Sequence, residues 1–347
     1  MPEGYRLVRR LAGGGDLLIT ASFLNSPPAI QAAVKDLTAT KGVVTARPVH
    51  TFHIFGTPND PDYPQQWGMD KVKATSAWDQ LTGEQNPVTV AIIDTGIDLT
   101  HPDLSAHLVE GRDFITAADK GRDGNGHGTH VAGIIGAVAN NAQGVAGINW
   151  GARLMPVRVM ASDGSGADVD IADGIRWAAD HGAHILNLSL GGYANDPTIK
   201  KAVEYAIGKG SLVIAAMGND ASPDPAYPAA IPGVMAVGAT TKDDQVASFS
   251  NTGNWMSVSA PGQNIFSTMP TYDTQIPHKK PYGSLSGTSM AAPLVAGLAS
   301  LVWSKHPSWT AQQVRQRIEQ SADDLGDTGR DNLTGFGRIN ALRALED

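Results

Sequence analysis

The chain has 347 residues, 41% of them hydrophobic, and no cysteine, so a sizeable core must hold together without disulfides, and thiol catalysis is excluded. Its 34 acidic and 26 basic residues give a formal net charge of −8 with no long basic cluster, which argues against nucleic acid or an anionic membrane as a partner. Polypeptides fit that balance better.

The first 56 residues read as a small unit of α+β type. Arg9-Arg10 is followed by Gly13-Gly14-Gly15-Asp16, where a secretion signal would need an apolar run. Leu17, Ile19, Ala21 and Phe23 alternate like a strand, and Ile30, Ala33, Val34 and Leu37 follow helical spacing. Val43-Val44 with Phe52, Ile54 and Phe55 predict a closing strand. Thr57-Pro58-Asn59-Asp60-Pro61 is a connector, so the boundary is expected after residue 56, with residues 57–347 forming the main domain.

In the main domain, apolar runs at 88–93, 154–159, 184–188, 212–216 and 234–237 alternate with helical stretches, which predicts an α/β fold with a mainly parallel sheet covered on both faces. The first run ends in Asp94-Thr95-Gly96, putting a carboxylate at the carboxyl end of a strand, where open α/β sheets keep their sites. Asp123-Gly124-Asn125-Gly126-His127-Gly128-Thr129-His130 then delivers His127 on a glycine loop to the start of an apolar helix. Two glycine turns follow, Asp163-Gly164-Ser165-Gly166 and Ser189-Leu190-Gly191-Gly192, and a further run ends in Ala216-Met217-Gly218-Asn219. In Gly287-Thr288-Ser289-Met290-Ala291-Ala292-Pro293, a serine stands at the mouth of an apolar helix, beside unpaired N–H groups and a partial positive charge. The charge-free stretch 281–304 is too polar in its first half for a membrane span; its apolar part is about a dozen residues, the length of a core helix.

Singly, each feature has an ordinary explanation: a strand-end cap, a structural or zinc-binding HxxH, an N-capping serine, a turn asparagine. The zinc alternative lacks the carboxylate of HExxH. A serine esterase of the α/β-hydrolase type would need GxSxG and the order Ser, acid, His, which this chain lacks at Ser289. Together, the three segments in the order Asp, His, Ser resemble the signature motifs of the subtilases, the subtilisin-like serine proteases, with local matches from about Asn59 to Ala344. That chain order is the one the subtilases use.

The resemblance implies a three-layer subtilisin-like fold and a serine endopeptidase working through an acyl-enzyme, with Ser289 as nucleophile, His127 as base, Asp94 as its orienting partner and Asn219 as oxyanion donor. A catalytically silent binding module of the same fold is the alternative from another class. Gly164, Ser165 and Gly166 on one side, and Ser189, Leu190 and Gly191 on the other, are expected to sandwich an extended polypeptide substrate, with Ala216, Met217 and Gly218 lining a pocket for a large apolar residue. Asp220 at its rim would admit a basic one. The resemblance also implies a structural calcium ion held by Asp60, Asp103 and Asn141 with the carbonyls of Ala139, Gln143 and Val145, and a second site from Asp113, Asp119 and Asp123. No organic cofactor is needed. Residues 1–56 are expected to be an intramolecular inhibitor and folding aid, or else a permanent extension; the enzyme is expected to be secreted and monomeric, with a cytoplasmic location as the alternative.

Overall fold

The computed structural model describes residues 4–10, 17–20, 27–47, 57–116 and 121–346, and the chain separates into two compact units, Met1–Ile54 and Phe55–Asp347. In the first, strands β1 (Arg6–Arg10) and β2 (Leu17–Thr20) pair antiparallel, and helix α1 (Pro27–Thr38) follows, with Ala33 buried. Helix and second strand match the sequence expectation; the arginine-rich β1 does not appear in it. Val43 and Val44 lie outside any strand, Val44 in a bend and 97% exposed, so the expected closing strand does not start there. Its remaining residues, and Ala21 and Phe23, fall outside the described residues.

The second unit opens with short helices α2 (Trp67–Lys71) and α3 (Ala74–Trp78) and is built on seven parallel strands. These are β3 (Thr89–Asp94), β4 (Arg112–Asp113), β5 (Arg153–Arg158), β6 (Ile185–Leu188), β7 (Leu212–Ala216), β8 (Met235–Thr240) and β9 (Met256–Pro261), in the spatial order β4-β5-β3-β6-β7-β8-β9. A separate antiparallel pair joins β10 (Ile265–Thr268) to β11 (Tyr282–Leu285). Every residue of β6, β7, β8 and β9 is buried, as expected for parallel strands sandwiched between helices.

Side-chain alternation divides the core in two. Val90, Ile92, Ile185, Leu212, Ile214 and Ala216 pack toward helices α4 (His127–Gly136) and α7 (Thr288–Lys305), with α8 (Ala311–Ser321) and α9 (Ala341–Leu345) beyond. Ala91, Ile93, Leu186, Leu188, Val213 and Ala215 pack toward α5 (Asp168–Asp180) and α6 (Pro197–Gly208) on the other face. The result is the three-layer α/β architecture. Asp94 continues the parity of Val90 and Ile92, so its carboxylate faces the layer that carries His127 and Ser289. Among the described residues, no helix is long and apolar enough to cross a membrane.

Candidate active site

Asp94 ends β3 fully buried. Its Oδ1 accepts from the Thr95 amide at 2.7 Å and lies 2.8 Å from His127 Nδ1, with Oδ2 at 3.0 Å from the same nitrogen. A carboxylate only accepts, so the histidine proton sits on Nδ1 and Nε2 is left as a free base. Burial by itself disfavours the imidazolium, but the Asp94 charge and its hydrogen bond outweigh it, helped by the more distant Asp123, and hold the His127 pKa above the usual 6.5.

Two glycines make that contact possible. Gly126, at φ 108°, turns the chain left-handed into α4, a conformation that favours glycine. A Cβ on Gly128 would come within 2.1 Å of the Gly96 carbonyl and 3.1 Å of Asp94 Oδ1, so a side chain there would drive α4 off the strand end. Behind them, buried Asp123 accepts from Thr95 Oγ1, the Asn125 and Gly126 amides, and both the amide and hydroxyl of Thr129. Those bonds set the loop that presents His127. They also correct the second-calcium reading: Asp123 is saturated by protein donors, and Asp113 accepts from Ile115, Thr116 and Gly121 and pairs with Arg158 at 3.1 Å. Asp119 is outside the described residues. His130 is structural: its Nε2 lies 2.9 Å from the Ile265 carbonyl, and burial pushes its pKa down to about 3.

Every residue of α7 is buried except Ser289 and Lys305, so Ser289 is the one point near its amino end that opens to the surface. Its hydroxyl rests on the Ser189 carbonyl at 3.1 Å. Asn219, just beyond β7, accepts on Oδ1 from the Thr288 amide at 2.8 Å and the Thr288 hydroxyl at 3.0 Å. With the oxygen occupied, Nδ2 is the amide atom left to donate; a Cβ on Gly287 would lie 3.4 Å from Nδ2, 3.6 Å from Oδ1 and 3.6 Å from the Ser289 nitrogen. The Ser289 N–H, in the first turn of a helix, has no helical acceptor. Two donors thus converge on space that only a missing side chain keeps clear. Thr288, which orients the amide, was not singled out from the sequence, although it precedes the serine directly.

The two glycine segments flank this turn. In Asp163-Gly164-Ser165-Gly166, Asp163 Oδ1 accepts from the Ser165 amide and hydroxyl, and Asn125 of the histidine loop donates to the adjacent Ser162 carbonyl at 2.7 Å. Gly192 exchanges two backbone bonds with Tyr227, and a Cβ on Gly191 would stand 2.9 Å from the Tyr227 carbonyl. Across the gap, the Tyr193 hydroxyl donates to Asp220 at 2.7 Å, tying the 189–193 segment to the 216–220 segment. Ala216 faces the α7 layer, but Leu190 and Met217 are buried in the opposite core, so their side chains cannot line a pocket on the Ser289 face and only their backbone is offered there.

The three side chains of the expected calcium set also come together. Asp60 accepts from the Asn140 and Asn141 amides, and Asp103 from Asn141 Nδ2 at 2.6 Å and the Val145 amide at 2.9 Å. Asp60 is 2% and Asp103 0% exposed, and neither has an ion-pair partner among the described residues. Burial, reinforced by the Asp60 charge, pushes Asp103 up to about 6. Among the described residues no group of three or more acidic, histidine or cysteine side chains gathers, so any cation here would draw much of its coordination from carbonyls and amide oxygen. That donor set suits calcium, which accepts such mixtures.

A parallel α/β sheet with these side chains gathered at its strand ends belongs to a serine endopeptidase. The chain is a member of the subtilase family, whose model matches residues 85–337. It is 43% identical over 291 residues to thermitase of Thermoactinomyces vulgaris, covering 84% of this chain and 99% of that protein. It is 43% identical over 317 residues to the thermophilic serine proteinase of Bacillus sp. strain AK1, covering 91% and 76% respectively. Among solved structures, a protease from Pseudoalteromonas arctica PAMC 21717 superposes with a TM-score of 0.76 at 32% identity, covering 84% of this chain and 99% of that one. Its substrates are accordingly polypeptides.

Proposed function

We propose that peptide bonds are cleaved through an acyl-enzyme formed on Ser289. The Ser289 Oγ rotates from the Ser189 carbonyl, attacks the scissile carbonyl and passes its proton to His127 Nε2; Asp94 holds the ring and balances the imidazolium charge. The oxyanion is received by Asn219 Nδ2 and the Ser289 N–H. His127 then returns the proton to the departing amine, and water repeats the sequence to release the acyl group. The observation that carries this reading is the bidentate approach of Asp94 to His127 Nδ1, which leaves Nε2 as a base. Replacing Ser289 with alanine is expected to abolish labelling by a phosphonyl fluoride and to lower casein hydrolysis by several orders of magnitude; retained labelling would reject the assignment.

The substrate lies extended between Gly164-Ser165-Gly166 and Ser189-Leu190-Gly191, bound largely through backbone, which gives broad sequence tolerance with preference for a large apolar residue before the scissile bond. Asp220, engaged by Tyr193, is less available to a basic residue than an open carboxylate.

Calcium is proposed at Asp60, Asp103 and Asn141 with the carbonyls of Ala139, Gln143 and Val145, where it would neutralise two buried carboxylates and pin the connector to the 139–145 loop. Residues 1–56 act as an intramolecular inhibitor, and the enzyme works as a secreted monomer. Intact-mass analysis tests the inhibitor role: the wild type shortens near residues 53–59 while Ser289→Ala stays full length. A wild type that remains intact and fully active would make the segment a permanent extension.

A further inference from the structure

Helix α7 carries a proline where the nucleophile's own carbonyl needs a donor. In an uninterrupted α-helix, the N–H of residue 293 would bond the carbonyl of residue 289. Pro293 has no N–H, so that carbonyl, at the amino end of a buried helix, is left free. The Ser189 hydroxyl fills the place, donating to the Ser289 carbonyl at 2.9 Å. The direction of this bond is set from behind: Asn187 Nδ2 donates to Ser189 Oγ at 3.0 Å, so the hydroxyl proton must point forward to Ser289. Asn187 is wholly buried, and its Oδ1 has no partner among the described residues, an unfavourable burial that an apolar residue would avoid. The amide is therefore explained by its nitrogen. By the alternation of β6, Asn187 and Ser189 share the face that looks onto α7. Ser289 Oγ closes the bracket by donating to the Ser189 carbonyl at 3.1 Å.

We propose that the Ser189 side chain is a positioning residue for the nucleophile: by occupying the carbonyl that Pro293 leaves free, it fixes residue 289 through its main chain and leaves only rotation about Cα–Cβ for the hydroxyl to reach His127. The reaction never uses this bond; it acts through Ser289, and the inference rests on Ser289 being the nucleophile.

The test uses the active protease as wild type, Ser189→Ala, Pro293→Ala and the double variant. It measures the second-order rate of phosphonyl fluoride labelling, kcat and KM on a fluorogenic peptide, the pH midpoint of kcat/KM, and the melting temperature. Ser189→Ala is expected to slow labelling and kcat about tenfold, with the pH midpoint unchanged because the Asp94–His127 pair is untouched. In the double variant, the N–H restored at position 293 can bond the Ser289 carbonyl directly, and labelling should recover at least about threefold relative to Ser189→Ala. That recovery separates positioning from packing, since a packing defect would not be repaired by a second substitution in the helix. Wild-type labelling in Ser189→Ala, or a double variant no faster than the single, would overturn the proposal. Ser289→Ala is carried in parallel: labelling that survives there strikes the nucleophile assignment itself, whatever the other variants do.

Discussion

Gly287→Ala is the sharpest probe of the oxyanion site, because it adds one methyl and removes no functional group. The added carbon would sit 3.4 Å from Asn219 Nδ2 and 3.6 Å from the Ser289 nitrogen. An oxyanion must come within about 2.7–3.1 Å of both donors, so oxygen and methyl compete for the same space around two nitrogens. Losing one such donor costs about 10²–10³ in turnover, or 2.7–4 kcal/mol, a value drawn from subtilisin, a member of this same family. A methyl that obstructs both should cost at least about 10³ in kcat. The φ of 157° at Gly287 adds some strain, so the melting temperature must be read alongside the rate. The assay is kcat and KM on a fluorogenic peptide, with KM expected to change little because the substrate backbone is held elsewhere. A folded Gly287→Ala enzyme with kcat within about fivefold of wild type would refute the converging-donor geometry.

Because His127 must be neutral to accept a proton and its pKa is raised, the acid limb of the kcat/KM profile should have its midpoint above 6.5, with activity lost as pH falls through it. In Asp94→Asn the charge that raises the pKa is gone and burial prevails, so the midpoint should move down while kcat falls by about 10⁴, as in other serine proteases; an unmoved midpoint would contradict the electrostatic account. A calcium chelator should lower the melting temperature of the wild type, since a ligand at one hundred times its dissociation constant contributes about 2.7 kcal/mol. The effect should shrink in Asp103→Ala, and a wild type indifferent to chelator would remove calcium from the picture. Thr288→Ala removes one of two donors that orient Asn219, so kcat should drop about three- to tenfold; a fall as large as that of Asn219→Ala would mean the amide is lost, not loosened.

The residues at strand and helix ends were legible because each stands beside a glycine whose conformation or close approach is forced: Asp94 before Gly96, His127 between Gly126 and Gly128, Ser289 after Gly287. Buried parallel strands such as β3 and β7 announced themselves as apolar runs. Strands β9, β10 and β11 did not, because Met256–Pro261, Ile265–Thr268 and Tyr282–Leu285 mix serine, threonine and glycine among their apolar residues. Period two keeps Met217 out of the pocket wall: Ala216 and Met217 are consecutive, so their side chains leave on opposite faces, and Met217 packs in the α5–α6 core. The bonds of Ser189 and Thr288 were invisible for a different reason. They join residues about 70 to 100 positions apart, and nothing local in a sequence marks them.

Gly297 lies two turns further along the helix that begins at the nucleophile, packed so tightly that a Cβ there would stand 2.7 Å from Ile148 Cβ. Eight residues of α-helix span about 12 Å, and Pro293 interrupts the ladder between them, so a shove applied at Gly297 is taken up partly as bending at the proline and reaches Ser289 partly as displacement. A misplacement of about 1 Å at a reacting atom costs on the order of 10² in rate. Selection for turnover therefore reaches far into this interior: a substitution behind the helix can leave the protein folded and still spoil its aim, and changes there should be screened by rate before they are ranked by melting point.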